Sequence, residues 1–518
     1  MALSTGAFQA WTTRFDMNPD GIQYLDNASA YLRADFRNAL NTQWSPLYPW
    51  LIAAFSAAVQ PAREQEFLLA HAVNFFAYAC SLAAFLYFIR CLQRRTDGAD
   101  TLAFLLLSCS AFLYCSLAFT NLRFVTPDLL VNVFSFLAAA LLLRIAAPDA
   151  RARHFFALGA ALGFGYLAKA PFFPIALVCL AIAAVVTRTR VLFACASFLA
   201  IAGPYAAALS SAKGRFTLGD SARLNIVWHV DHLPNTNWQG GSEGNGRPTH
   251  PTRQLSSDPA MFEFGAPIAG TYPAWYDPAY WNEGVRIVYS APNFAHATLE
   301  QLRLYRYLLH RQMVLLFAFL ALFTLARLKG HRLEIPKSVL PLLLFAALPF
   351  AMYASVHAED RYLAPFFVLL WTGLFCSVLD GTRASRAIAI TAALLMLAQS
   401  FPTLSPAPND PPPRVHYEIA SNLAAIGLKP GDRVAMVTSD LPYYWARLAG
   451  ARITLQVTFG DTSKQREIEW HAVRQMLAAQ DAAFLISPAL EGVTDQPGWL
   501  QLGAANVFAY PLRPARAY

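Results

Sequence analysis

Between residues 67 and 402 the chain alternates long apolar runs with short polar junctions. The runs are about 20 residues long, the length a helix needs to cross a bilayer core. They predict helical spans near 67–92, 101–119, 126–146, 154–169, 171–187, 191–211, 304–326, 335–356, 362–380 and 384–402. The period-2 alternation of an outer-membrane barrel is absent. Pro46–Val59 is apolar but short, and reads as an interfacial or re-entrant piece. The pattern predicts a polytopic α-helical membrane protein.

The junctions differ in charge. Arg90, Arg94 and Arg95 follow the first predicted span, and Arg144, Arg151 and Arg153 the third. Arg188 and Arg190 follow the fifth, Arg327, Lys329, Arg332 and Lys337 the seventh, and Arg383 and Arg386 the ninth. Basic loops stay on the cytoplasmic side. Every second junction is therefore assigned there, a registration that supports about ten crossings. The opposite face receives residues 1–66, Thr120–Thr126, Lys169–Pro171, the long loop 212–303, His357–Arg361 and everything after 402. In a bacterium this is the periplasmic face of the inner membrane. Met1–Trp11 is too short and polar to cross, so an apolar helix upstream of Met1 is expected.

After residue 402 the period changes. Residues 403–413 form a proline-rich linker, which composition predicts to be extended and stiff. Residues 414–518 read as a soluble α/β domain. Strands are expected at Arg433–Val437, Ile453–Thr458, Ala483–Ile486 and Val507–Tyr510, with helices at Tyr417–Ile426, Tyr443–Leu448 and Gln465–Ala479. The domain plan is thus 1–402 in and around the membrane, 403–413 as linker and 414–518 on the periplasmic side. No glycine-rich phosphate loop points to a nucleotide.

Composition sharpens this picture. The 518 residues are 56% hydrophobic and 14% charged, with mean hydropathy +0.35; a soluble domain has about 25% charged residues. The net charge of +8 is explained by membrane orientation and not by nucleic acid, because the basic residues form no compact run with aromatics. The seven cysteines lie in or beside apolar segments and have no metal spacing, so they read as small core residues. No cofactor is expected, with a divalent metal left open; the loop histidines carry no recognised ligand spacing.

The candidate chemistry falls on the face opposite the basic junctions. The first external segment holds Asp20, Tyr24 and Asp26. A carboxylate at a membrane surface can act as general base on an acceptor hydroxyl or amine; equally, Asp20 can start a turn and Asp26 face water. The second loop holds Arg123, Pro127 and Asp128. Asp128 suits the first turn of a helix, whereas Arg123 has no such explanation. Lys169 sits between two apolar spans, where a charge is expensive and so either functional or snorkelling. His357, Glu359, Asp360, Arg361 and Tyr362 crowd the last external junction. Arg361 offers a planar fork for phosphate, or a partner for Glu359. The long loop is rich in aromatics: Trp228, Trp238, Tyr272, Trp275, Tyr276, Tyr280 and Trp281. Their faces suit sugar rings or a lipid carrier; an interfacial belt is the other reading.

Together these pieces resemble the GT-C class of membrane glycosyltransferases, most nearly the protein O-mannosyltransferase and aminoarabinose transferase group (glycosyltransferase family 39-like). The group's first-loop aspartate corresponds to Asp20 and its tyrosine to Tyr24, with Gly21 where an acidic neighbour is usual. Its Pro-Asp corresponds to Pro127-Asp128, its Lys-X-Pro to Lys169 and Pro171, and its Arg-Tyr-Leu-X-Pro to Arg361, Tyr362 and Pro365. The resemblance covers roughly residues 1–400. It implies a polyprenyl-phosphate sugar donor and a lipid, glycan or protein acceptor. It also implies Asp20 as base and Lys169 with Arg361 at the donor phosphate. Around them, Tyr24, Asp26, Arg123, Asp128, His357, Glu359 and Tyr362 are the candidate substrate-binding or supporting residues. A transporter or flippase of a lipid-linked or anionic substrate is the alternative from another class, although transporters place such charges near the midplane of repeated halves. A scaffold displaying the C-terminal domain is a third, and leaves the clustered external charges unexplained.

Overall fold

The computed structural model describes all residues except 96–100, 236–237, 241–245, 251, 331–335, 337–338, 405–413, 438–441, 459–467, 504–505 and 514–518. Most of the proline-rich linker, much of the loop's glycine run, Arg332 and Lys337 lie outside the described residues.

The chain opens with α1 (Ala2–Thr12) and α2 (Pro19–Leu32), the short α3 (Phe36–Ala39) and α4 (Leu47–Val59). The long helices follow: α5 (Glu66–Gln93), α6 (Thr101–Tyr114), α7 (Asp128–Ile145), α8 (Ala152–Ala168), α9 (Phe172–Thr187) and α10 (Leu192–Lys213). A π-helical turn, Cys115–Thr120, extends α6. Gly159 and Gly163 on α8 explain its close seat against α10. A Cβ at Gly159 would collide with the backbone carbonyl of Ala194, and one at Gly163 would press on Ile201. Glycines four apart let two helix backbones approach where lipid offers no hydrophobic drive.

The long loop holds α11 (Ser221–His229), strands β1 (Thr252–Ser257) and β2 (Ala260–Phe264), and the turn of helix α12 (Pro273–Tyr276). Next come α13 (Ala291–His310), α14 (Met313–Leu328), α15 (Leu340–Ala354), α16 (Asp360–Phe375) and α17 (Arg383–Ser400). Helix therefore occupies every position where the apolar runs predict a span. By length and apolarity, five stretches among the described residues suffice to cross a membrane, or six if α13 and α14, bent by 72°, count as one. Helices α8, α15 and α16 are shorter than 18 residues, and α9 with α10 forms one stretch, Phe172–Lys213. Two predicted basic junctions are tied to their neighbours. Arg95 donates to the Leu143 carbonyl at 2.8 Å, and Lys329 meets Asp380 at 2.7 Å.

The C-terminal unit adds α18 (Val415–Ala425), β3 (Arg433–Val437), α19 (Tyr444–Ala449), β4 (Arg452–Thr458), α20 (Trp470–Ala478), β5 (Phe484–Pro488), β6 (Leu500–Gln501) and β7 (Val507–Pro511). The sheet order is β1-β2-β4-β3-β5-β7-β6, so two strands of the long loop complete it. Its centre, β4-β3-β5, is parallel; the flanking pairs are antiparallel. Strands β3 and β5 are largely apolar on both faces, as a covered parallel sheet requires, whereas β4 alternates Ile453, Leu455 and Val457 with the buried polar Thr454 and Gln456. Ala435 and Val437 pack with Trp470, Val473 and Leu477 of α20. Val434 and Met436, on the other face, join the core shared with the helical bundle, including Leu423 and Trp445.

Candidate active site

Four junctions bring the candidate residues together. Pro19 opens α2 and puts Asp20 in its first turn. Asn18 Oδ1 accepts from the Val125 amide at 2.8 Å, docking this start against the loop before α7. Pro127 caps α7, so Asp128 stands at its first position. Lys169 ends α8 in extended backbone, and Pro171 starts α9 two residues later. Glu359 caps α16, placing Arg361 and Tyr362 in its first turn.

Asp20, Tyr24, Lys169, His357, Glu359, Arg361 and Tyr362 line one cavity of about 530 Å³. Arg361 forks onto Glu359, with Nε to Oε2 at 2.6 Å and Nη2 to Oε1 at 3.1 Å. It also lies 3.6 Å from Asp20 Oδ2 and 3.7 Å from Asp128 Oδ2. Lys169 Nζ donates to Asp128 Oδ1 at 2.5 Å and sits 3.8 Å from the Tyr362 ring centroid. Asp128 stands buried behind both cations and positions them. The Tyr362 hydroxyl donates to Glu359 at 2.8 Å, and His357 approaches the same carboxylate at 3.5 Å.

The three carboxylates are not equivalent. Burial pushes Glu359 up, but His357 and Arg361 override it and hold the group well below the usual carboxylate range. Asp20 makes no hydrogen bond through its carboxylate among the described residues. Burial raises it above its ordinary 3.8, with Arg361 opposing. Asp20 therefore has lone pairs free toward the cavity and a raised proton affinity, the properties of a general base. His229 stacks on His357 at 3.8 Å, and burial with that neighbour lowers it to about 4. Both cations keep donors in reserve: Nη1 of Arg361 and two protons of Lys169 have no hydrogen-bond partner among the described residues. No cluster of three or more His, Cys, Asp or Glu able to hold a metal occurs among the described residues.

The cavity has two further walls. Phe173, Pro174, Met352, Tyr353 and Val356 form an apolar side from α9, α15 and the turn after α15. Trp44, Trp228 and Trp275 form an aromatic end, joined by Gln43, Asn225 and Asn235. Trp228 and Trp275 stack at 6.0 Å, and Trp228 Nε1 is fixed by Asn282 at 3.0 Å.

Two candidates are elsewhere. Asp26 does not face water and does not reach the cavity; it is sealed against Thr271 and Arg447. Arg123 pairs with Asp16 at 2.7 Å, which accounts for its charge without any ligand. The loop aromatics also divide. Trp228 and Trp275 line the cavity, while Trp238, Tyr272, Tyr276, Tyr280 and Trp281 are buried structural residues. Gln43, Asn225 and Asn235 were invisible in the sequence, since an isolated amide carries no pattern.

The fold is that of a polytopic helical protein with a sheet-containing C-terminal unit. No family model matches the chain, and no curated protein matches it. Among solved structures it is similar to ArnT from Cupriavidus metallidurans bound to undecaprenyl phosphate, with a TM-score of 0.59 and 14% identity over 98% of this chain and 96% of that one. ArnT from the same organism in the apo state gives a TM-score of 0.55 and 13% identity, over 98% and 97%. The likeness is one of fold, and it agrees with the class that the sequence motifs resemble.

Proposed function

We propose that this protein is a membrane glycosyltransferase that moves a sugar from a polyprenyl-phosphate-linked donor to an acceptor on the periplasmic face of the bacterial inner membrane. The observation that carries the reading is the convergence of Asp20, Lys169 and Arg361, from three distant junctions, in one cavity. The shared fold supports it, since one ArnT structure holds undecaprenyl phosphate.

In this reading the acceptor's hydroxyl or amine attacks the anomeric carbon while Asp20 takes its proton. The bond from that carbon to the phosphate oxygen breaks, and the polyprenyl phosphate leaves with the electron pair. Lys169 and the free edge of Arg361 stabilise the charge that develops on the phosphate, in a poorly hydrated site where fixed cations act strongly. Asp128 and Glu359 hold those cations in place. The apolar wall suits the start of the lipid, and the tryptophan end suits a sugar ring.

The test is transfer from undecaprenyl-phosphate-linked sugars by the full chain in nanodiscs. Wild type should transfer sugar, and Asp20→Asn should bind undecaprenyl phosphate normally but turn over slowly. Binding by wild type without any transfer would overturn the reading in favour of transport.

A further inference from the structure

No described residue of the C-terminal unit lines the cavity, yet the unit grips the helix that carries Asp20. Helix α2 has two working faces. Asp20 and Tyr24, four apart, look into the cavity. Gln23, Asp26 and Ser29, spaced by three, meet the C-terminal unit. Residues three or four apart are neighbours on a helix, so each set forms a stripe, and Gln23, three from Asp20, lies where the two stripes adjoin.

The contacts are directional. Gln23 Nε2 donates to the Tyr443 hydroxyl at 3.0 Å, and that hydroxyl donates to the Pro19 carbonyl at 3.4 Å. Pro19 is the peptide neighbour of Asp20. Further along, Asp26 accepts from Arg447 at 2.8 Å and from the Thr271 amide and hydroxyl at 2.6 and 2.9 Å. Gly270, at φ +75, makes the turn that presents Thr271, and a Cβ there would crowd Tyr276 and Asp26. Arg447 also donates to Ser29 at 2.7 Å and forks onto Glu66, at the start of α5, at 2.7 and 2.9 Å. One guanidinium thus fixes α2 against the first long helix. Adhesion alone does not call for this, because buried ion pairs roughly break even against apolar contact. What committed hydrogen bonds supply is a unique register.

We propose that the C-terminal unit is a positioning device for the base: Tyr443 and Arg447 set the rotation and axial place of α2, and so hold Asp20 against the acceptor. The inference rests on the transferase reading of the cavity. It gives residues 414–518 a role in turnover and not in donor capture. A shift of about 1 Å at a reacting group can cost about 100-fold.

The experiment uses the full chain in nanodiscs, with undecaprenyl-phosphate-linked mannose and aminoarabinose as donors and undecaprenyl phosphate as the binding probe. Tyr443→Phe removes one hydroxyl and keeps the ring. It should lower turnover about tenfold, a modest share of the loss that misplacement allows, and leave undecaprenyl phosphate affinity unchanged. The acidic limb of its pH–rate profile should move down. A looser α2 start lets water reach Asp20, relieving the burial that raises it, while Arg361, Glu359, Lys169 and Asp128 still face it. Arg447→Met should act in the same direction and more strongly, with Arg447→Lys recovering part of the rate. Arg513→Ala, which cuts pairs with Asp432 and Asp481 in the same unit, should leave rate and limb at wild type. Wild-type turnover and an unmoved limb in both Tyr443→Phe and Arg447→Lys would overturn the proposal, whatever their thermal midpoints. A wild type that binds undecaprenyl phosphate but uses neither donor overturns the transferase reading itself, a result distinct from the first.

Discussion

Helix α2 carries two aspartates six residues apart, each facing an arginine, and the two pairs are built for opposite purposes. Asp20 and Arg361 stand 3.6 Å apart with the carboxylate 27% exposed to the cavity. Asp26 and Arg447 touch at 2.8 Å with the carboxylate 5% exposed and its oxygens fully engaged. The open pair has capacity left for a substrate; the sealed pair has none. An aspartate near an arginine is therefore not informative by itself. What separates a reactive group from a structural one here is unspent hydrogen-bonding capacity beside an accessible volume.

The contrast is broken or sharpened by substitution at each site. The largest effect is expected from Asp20→Asn, which keeps shape and removes the base. Turnover should fall by about 10²–10⁴, with undecaprenyl phosphate binding and thermal midpoint near wild type. Near-normal turnover would strip Asp20 of its role and erase the distinction. Arg361→Ala should follow, lowering turnover by about 10²–10³, as loss of one electrostatic contact to a developing oxyanion does. Arg361→Lys should lose less, because it keeps charge without the fork. Equal losses would mean that charge without the fork contributes nothing, and wild-type turnover in Arg361→Lys would mean that the fork onto Glu359 does not matter. At the sealed pair, Asp26→Asn leaves Arg447 buried without one of its charges. It should destabilise the fold by about 3–5 kcal/mol, seen as a lower midpoint in thermal unfolding. An unchanged midpoint would make Asp26 a surface residue in all but position.

How far this was readable beforehand depends on the range of the interaction. The helices follow from apolar runs, and four strands of the C-terminal unit from local patterns, which is why β3, β4, β5 and β7 fall close to where expected; the two-residue β6 carries no such pattern. The convergence of Asp20, Lys169 and Arg361 was legible through motif order and shared sidedness. The fates of Asp26 and Arg123 were not, because their partners Arg447 and Asp16 are set by tertiary docking. Nor was the recruitment of β1 and β2 into the C-terminal sheet, which joins Ala260–Glu263 to Leu455–Thr458 across almost two hundred residues of chain. The buried loop aromatics were misread for a related reason. A tryptophan in a polar loop looks available until the sheet it covers is known.

The smallest effect is a shift in pH dependence, and it tests the open pair most directly. Asp20 must be ionised to accept a proton, so activity should rise with pH through its titration. Burial places that limb above the ordinary 3.8, and the Arg361 charge opposes the rise. Removing the cation in Arg361→Ala should therefore move the limb further up, while the residual rate remains measurable. The histidines offer a rival origin for any limb in the weakly acidic range. His229 is held down to about 4 by burial and by His357, so it stays neutral above that pH. His229→Phe should accordingly leave the limb of kcat/KM where it is. A limb that follows His229→Phe and ignores Arg361→Ala would transfer the titration from the aspartate to the stacked histidine pair, and with it the assignment of the base.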